Sequence, residues 1–400
     1  MRIWIINHYA KPYARHHNLA CELIRRGHEV SIFASSFDHR TRKEKHLLAG
    51  EKVKLKSING VPYVWLKTPS YSGNTIARFW NMAIFAWRIW KARKNAGFKR
   101  PDIIIGSSPH LFAALAAESI ARQFQIPFIF EVRDLWPQSF VDLLNWSIHH
   151  PLIWAMERIE KHLYRSADRI ISLLPGAADH MVEKGAKREK IVWIPNGINT
   201  NIVPLPEPPP DDEVFTVMYA GAHGLANALD PILDAASLLQ QEARDRKILI
   251  RFIGDGPEKP RLQELAKKRN LTNVRFDDSV PRDRIYDLLY EADSFVMPLK
   301  NSPVFRWGIS PNKLFDYLMS ARPVIFSVDS PFNPVAEAQA GLTIPPEDSY
   351  ALARAIKSLL DMSPEERWEM GMRGRKYAEK YHNFTVLVDK LEEMLEIVMD

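Results

Sequence analysis

Short, almost wholly apolar runs alternate with amphipathic segments along the whole chain, and this alternation restricts the fold more than any other feature. RIWIIN, EVSIFA, PDIIIGSS, PFIFEV, DRIISLL and KIVWIP lie in the first half, and FTVMYAG, KILIRFIGDG, NVRFDD, DSFVMPL and RPVIFSV in the second. Between them run helical patterns such as RHHNLACELIRRGH. Strands that are apolar on both faces and separated by helices imply parallel sheets covered on both sides. The two sets are divided by NTNIVPLPEPPPDD (199–212), which is rich in proline and poor in periodicity and reads as a semi-rigid linker. The expectation is an α/β protein of two doubly wound, Rossmann-like domains: residues 1–200, a linker over 201–213, and residues 214–384. The last helix, about 385–400, is left with two homes, its own domain or the first. Ligands of such sheets lie beyond the carboxyl ends of the strands, so two domains facing across a cleft would bring their strand-end motifs together.

Charge divides as unevenly as the strands do evenly. The net charge is +6, but residues 1–100 carry +15 and residues 201–400 carry −8. A basic first half suggests an anionic partner. No zinc-finger spacing, RNP motif or helix-turn-helix pattern supports nucleic acid, so an anionic membrane surface or a phosphorylated acceptor fits better. Lone Cys21 excludes an internal disulfide framework and suits a reducing compartment. The opening MRIWIINHYAKPY reads as a strand and a polar loop, and no apolar run approaches the ~18 residues of a membrane span. A cytoplasmic protein, peripheral at most, is expected.

SPNKLFDYL (310–318) carries the first chemical signal. Ser310 as N-cap and Pro311 at the first helical position would open a helix. Its free amides, with Asn312 and Lys313 in the first turn, suit an anion. Asp316, one turn on, can accept from a diol. Phosphate plus diol suggests a nucleotide.

AGAHGLANALD (220–230), IGDGPEK (253–259), NVRFDDSVPRDRI (273–285), SPNKLFDYLMSARPVI (310–325) and IPNGIN (194–199), in that setting, resemble the signatures of glycosyltransferase family four. RRGHEV (25–30) and EVRDLWP (131–137) resemble its bacterial O-antigen and capsule branch. The resemblance implies a GT-B fold and retaining, metal-independent transfer of a sugar, without a cofactor. The donor would be a nucleotide sugar, by family habit UDP-linked, and the acceptor a lipid-linked oligosaccharide or polysaccharide. The sequence departs from the family at three places. Gly308 stands where many members have the first of two glutamates, Ala222 and Asn227 align with an arginine–lysine pair, and AKPYARHH replaces a glycine-rich loop.

Carried onto this chain, the resemblance makes Asp316 the ribose ligand, with Lys313 and the amides near Asn312 at the diphosphate. Arg306 becomes a replacement cation. Gly221 and Gly224 allow close phosphate approach, and His223 is a donor to it. Gly254 and Asp255 border the base, whose edge meets backbone near Val280. His110 and Asp134, at strand ends of the first half, become the catalytic candidates, near the donor sugar and the acceptor hydroxyl respectively. Arg15, which stands where a loop enters the first helix and so at a natural anion position, and Arg133 are acceptor-binding candidates read from their places in the chain. The segment RFWNMAIFAWRIWKARKNAGFKR (78–100) mixes tryptophans and cations at helical spacing, which fits either a membrane-surface helix or a core helix. Two rival readings stay open: a GT-B nucleotide-sugar epimerase, and a binding protein that has lost catalysis.

Overall fold

The computed structural model describes residues 1–39, 41–73, 76–93, 98–208, 213–242 and 246–399. Lys94 in the tryptophan-rich segment and residues 209–212 of the proline-rich stretch lie outside them. The chain forms two compact units, one of Met1–Asn196 with Phe384–Asp400 and the other of Gly197–Asn383.

The first unit is built on an eight-stranded sheet. Its strands are β1 (Arg2–Ile6), β2 (Glu29–Ser35), β5 (Val53–Ile58), β6 (Val61–Leu66), β7 (Ile103–Ser107), β8 (Phe128–Val132), β9 (Arg169–Ser172) and β10 (Ile191–Trp193); a separate small ribbon joins β3 (Phe37–Asp38) to β4 (Lys43–Glu44). The sheet order is β10-β9-β8-β7-β1-β2-β6-β5. The β5–β6 pair is antiparallel, turning at Asn59-Gly60 where both residues have positive φ (50° and 81°), the conformation that Asn-Gly favours in a tight hairpin. The other pairings are parallel, and Ile5 of β1 lies between Ile32 and Ile105. Right-handed crossovers put the helices Ile76–Ala92, Leu111–Phe124 and Pro151–Ser166 on one face and Arg15–Arg25 on the other.

The last helix, Phe384–Met399, packs beside Arg15–Arg25. Its Phe384, Leu387, Val388, Leu391, Met394 and Leu395 complete the core around Ile3, Ile5, Leu19 and Leu23.

In the second unit, β11 (Val214–Ala220), β12 (Lys247–Ile253), β13 (Val274–Asp277), β14 (Ser294–Pro298), β15 (Val324–Ser327) and β16 (Gly341–Ile344) form a wholly parallel sheet in the order β13-β12-β11-β14-β15-β16. Separate apolar clusters fill its two faces, as expected of strands that are buried on both sides. The stretch read as a linker starts inside this unit. Val203 is buried, and Arg375 donates to the carbonyls of Val203 and Pro204 while Arg322 donates to that of Glu207. Two buried arginines thus fasten residues 203–207 through backbone carbonyls.

Each sheet reverses its winding once, between β1 and β7 in the first unit and between β11 and β14 in the second. Such a reversal opens a crevice at the carboxyl ends of the strands.

Candidate functional site

At the β1/β7 reversal the chain sets polar residues directly after apolar strands. Asn7 Nδ2 donates to Ser107 Oγ (2.8 Å) and to the Ser108 carbonyl (2.9 Å). Ser107 Oγ donates to Glu131 Oε2 (2.5 Å), and Ser108 Oγ accepts from the Arg133 amide (2.8 Å). The loops after β7 and β8, carrying His110 and Asp134, are thereby laced together.

His110 is buried at the start of Leu111–Phe124, its Nε2 2.5 Å from His8 Nδ1 and its Nδ1 without a hydrogen-bond partner among the described residues. Burial, helped by the Arg78 charge, pulls its pKa down to about 3, so the imidazole is neutral at physiological pH. His8 is driven the same way by burial and by His110, and its ring stacks on Tyr9 and Phe85. A neutral, fixed His110 can share a hydrogen bond but carries no charge for a phosphate. Asp134 is exposed, and Arg133 is half-buried with its Nε unpartnered and no salt bridge among the described residues.

Arg15 is a correction. Expected as a loop-to-helix arginine open to an acceptor, it is buried. Its Nε donates to Glu131 Oε1 (2.8 Å), and its two terminal nitrogens donate to the carbonyls of Pro195 and Ile194. The guanidinium is spent inside the unit. Glu131 also accepts from His16 Nε2 (2.6 Å). Burial by itself would raise the Glu131 pKa, but His16 and Arg15 hold it well below the usual carboxylate range.

In the second unit the loop 220–230 rests on the loop 253–259. A Cβ on Gly254 (φ 135°) would fall 2.0 Å from the Gly221 carbonyl oxygen, so only glycine allows this approach. The Gly221 amide donates to the Ile253 carbonyl (2.9 Å), and a Cβ at 221 would stand 3.1 Å from Lys313 Cδ. Glycine at 221 therefore makes room for the lysine.

Lys313 Nζ lies 3.0 Å from Tyr219 Oη and 2.5 Å from Asn227 Oδ1, with the Tyr219 ring centroid 4.4 Å away. Among the described residues no carboxylate pairs with it, and burial pulls its pKa down to about 7. The helix starts one residue later than expected, at Asn312. Pro311 is the N-cap, with no side-chain cap, and Ser310 stands outside. The backbone turn before Asn312 is made by proline's fixed φ (−78°), leaving Asn312 exposed in the first turn.

His223 departs from its expected part. Its ring is fully buried among Tyr219, Phe252 and Phe276 with both nitrogens unpartnered among the described residues, its amide donates to the Asp255 carbonyl, and its carbonyl accepts from the Glu258 amide. Burial and then Lys259 lower its pKa to about 4. The neutral ring thus packs beneath the loop instead of presenting a donor at its mouth. Gly224 caps the short turn Leu225–Asn227 that presents Asn227 to Lys313. Asp255 is exposed and held below the usual carboxylate range, first by the Ser279 hydroxyl and then by Lys259, which ties it to the loop of half-buried Val280. Arg306 is exposed, its guanidinium 4.0 Å over the Trp307 ring.

Asp316 is buried but not idle. Arg282 donates to both its oxygens (2.7 and 2.6 Å), and Tyr286 Oη donates to Oδ1 (2.8 Å). An ionised carboxylate has about four acceptor positions, so the expected grip on two ribose hydroxyls meets three that are taken. One hydroxyl can be added as the structure stands; a second requires Arg282 or Tyr286 to yield. Because the Arg282 side chain is 46% exposed, solvent screens the pair. A double-mutant cycle of Arg282→Ala and Asp316→Ala, read by denaturation, should give a coupling of about 1 kcal/mol. A coupling above about 3 kcal/mol would mean a dry pair that a ribose could not open.

Gly308 has φ 97°, a left-handed conformation that penalises any side chain. A glutamate would be strained at this position. Reading the sequence missed Glu131, His8, Tyr219 and Arg282. A signal existed for Glu131, a lone acid inside the apolar strand PFIFEV, because a buried charge demands a partner. For Arg282 the only clue was its place in the same motif as Val280.

Comparison with known proteins agrees with this fold. A glycosyl transferase 4-like domain matches residues 13–197, and glycosyl transferases group 1 matches residues 214–362. The putative colanic acid biosynthesis glycosyl transferase WcaI of Escherichia coli is 22% identical over 352 residues, 81% of this chain and 82% of that protein. Among solved structures, sucrose-phosphate synthase from Thermosynechococcus elongatus superposes with a TM-score of 0.77 at 17% identity, covering 100% of this chain and 99% of the other. Anabaena HepE in complex with UDP-glucose superposes with a TM-score of 0.68 at 14% identity, covering 99% and 100%. With both halves matched in order and both sheets wound in this way, the chain belongs to the family-four glycosyltransferases and has the GT-B fold.

Proposed function

We propose that this glycosyltransferase moves a sugar, with retention of configuration and without a metal, from a UDP-linked donor to a lipid-linked oligosaccharide or polysaccharide acceptor in bacterial cell-surface polysaccharide assembly. The observation that carries the reading is Lys313. An ammonium without a carboxylate partner among the described residues sits at the topological switch point beside the first turn of a helix and under a glycine. Such a desolvated cation favours an arriving diphosphate. The UDP complexes of HepE and the colanic acid role in the name of WcaI support the donor and acceptor classes.

In this reading Lys313, the amides near Asn312 and, at the surface, Arg306 hold the diphosphate, and Asp316 takes a ribose hydroxyl. Gly254, Asp255 and the backbone near Val280 border the base. Neutral His110 hydrogen-bonds the donor sugar, Arg133 meets an acceptor phosphate, and Asp134 lies near the acceptor hydroxyl. The bond from the anomeric carbon to the leaving phosphate oxygen breaks as the acceptor oxygen bonds to the same face. The departing phosphate takes the acceptor's proton. The glycine conformation at 308 supports this course over one through a glutamate at that position.

Lys313 gives the test a pH signature. Its free-state pKa of about 7 means that above pH 7 the free protein is largely deprotonated there, whereas a bound diphosphate favours the ammonium. UDP binding should take up a proton above pH 7, and affinity should fall by up to about tenfold per pH unit. Stability of the free protein runs the other way. The unfolded lysine keeps its proton up to about 10.5, so the second unit gains stability as pH rises from 7 towards 10.5. Calorimetry in buffers of different ionisation enthalpy reads the uptake. A thermal-shift panel of UDP, GDP and ADP reads the base, with ~2.7 kcal/mol of stabilisation expected for UDP at 100 times its dissociation constant. No shift with any nucleotide, or an epimer formed from donor alone, would remove the proposal.

A further inference from the structure

We infer that His8 is a positioning residue for His110. It holds the His110 imidazole in its Nε2–H form, so that the ring meets a sugar with a bare Nδ1, which accepts from a hydroxyl and has no proton for a phosphate oxygen. This role rests on the proposed place of His110 at the donor sugar, and it decides which ring nitrogen acts and in which direction the hydrogen bond runs.

The relay of donors starts at Pro69. Asn81 is fully buried, and its Nδ2 lies 2.6 Å from the Pro69 carbonyl and 2.9 Å from Thr68 Oγ1. A carbonyl only accepts, so the amide is fixed with its two protons on that side and Oδ1 turned away. Oδ1 takes no hydrogen bond from any other group among the described residues. Asn81 favours a proton on the His8 ring, as an acceptor beside it does. His8 Nδ1 is 2.5 Å from His110 Nε2, so the single proton of neutral His8 sits on Nε2, towards Asn81, and Nδ1 keeps its lone pair. His110 then supplies the shared proton from Nε2, which leaves its own Nδ1 bare. The opposite direction would set a His8 lone pair against Asn81 Oδ1. It would also bury an unpaired His110 N–H at the N-cap of Leu111–Phe124, where partial positive charge favours an acceptor.

His110 Nδ1 is buried and has no partner among the described residues. A buried acceptor without a donor is costly. A sugar hydroxyl relieves it, whereas a phosphate oxygen brings only further lone pairs. His8 is itself held by stacking on Tyr9 and Phe85, with ring centroids 4.6 and 4.3 Å away, and stands edge-on to the His110 ring.

Two substitutions at position 8 separate this role from packing. His8→Phe keeps the stack and loses the acceptor. It should lower UDP release from UDP-glucose, the probe donor, about tenfold or more while the UDP thermal shift holds. His8→Asn gives up most of the stack but places Oδ1 where Nδ1 stood, and should recover most of that loss. A merely structural histidine predicts the reverse order. Long-range proton–nitrogen correlation spectra of the full chain, labelled with nitrogen-15 in histidine and assigned with His110→Gln, read the tautomer without any substrate. Wild type should show His110 as Nε2–H, and His8→Phe should shift it out of that form. A bare Nε2 on His110 in wild type, release by His8→Phe within about threefold of wild type, or equal losses in both variants would overturn the positioning role. Absence of UDP release or of nucleotide binding in wild type strikes the proposed reaction instead, and the spectra still decide the tautomer.

Discussion

Lys313→Met should lower single-turnover sugar transfer about 10²–10³-fold while leaving the fold intact. In the proposed reaction the lost ammonium is a preorganised charge aimed at the leaving phosphate, an interaction typically worth ~2.7–4 kcal/mol. Methionine occupies a similar channel and removes a desolvated charge, so the melting temperature should hold or rise. Proton uptake on UDP binding should vanish with the lysine. Lys313→Arg should not restore activity. The stem is already 3.1 Å from where a Cβ on Gly221 would stand, and Tyr219 and Asn227 are spaced for a compact ammonium, not a planar fork. Transfer within threefold of wild type in Lys313→Met would dismiss the diphosphate role.

The second large effect concerns stability. Glu131→Ala would leave Arg15, whose charge is buried in the first unit, without its carboxylate, and would also strip acceptors from His16 and Ser107. Removing one partner of a buried ion pair costs about 3–5 kcal/mol, a fall on the order of 10 °C in the melting of a unit this size. Glu131→Gln keeps an acceptor and should lose less. The pH dependence follows from the depressed carboxyl. Its stabilisation is complete above the unfolded value near ~4.3 and fades as pH drops below it. Differential scanning calorimetry of both variants measures this, and a loss below about 1 kcal/mol would show that Arg15 relies on the Pro195 and Ile194 carbonyls alone.

The sheets and their parallel winding were legible because a strand that is apolar on both faces has few other places to go. The helix start was legible in SPNKLF, to within one residue, because helix starts follow local rules. Its details were not. Lys313 could be placed three residues from Asp316 on a helix, but its actual partners, Tyr219 and Asn227, are 94 and 86 residues away. The same distance hid Arg15. A loop-to-helix position reads as exposed, whereas Glu131, 116 residues on, draws the side chain inward. In Ile76–Ala92 both faces are apolar, so periodicity could not tell lining from surface. Only the packing of Phe85 and Ile89 against the sheet side separates them.

The closing helix has a consequence for synthesis on the ribosome. Residues 1–196 emerge first, yet six side chains of their interior arrive with residues 384–395, after the whole second unit has been translated. The earlier-made half must therefore wait, incompletely packed, while the later-made half can close on itself, reversing the usual first-out, first-folded order. A nascent chain stalled before Phe384 would expose the seam between Leu19 and Leu23 to chaperones, and emergence of residues 384–395 would be the event that seals it.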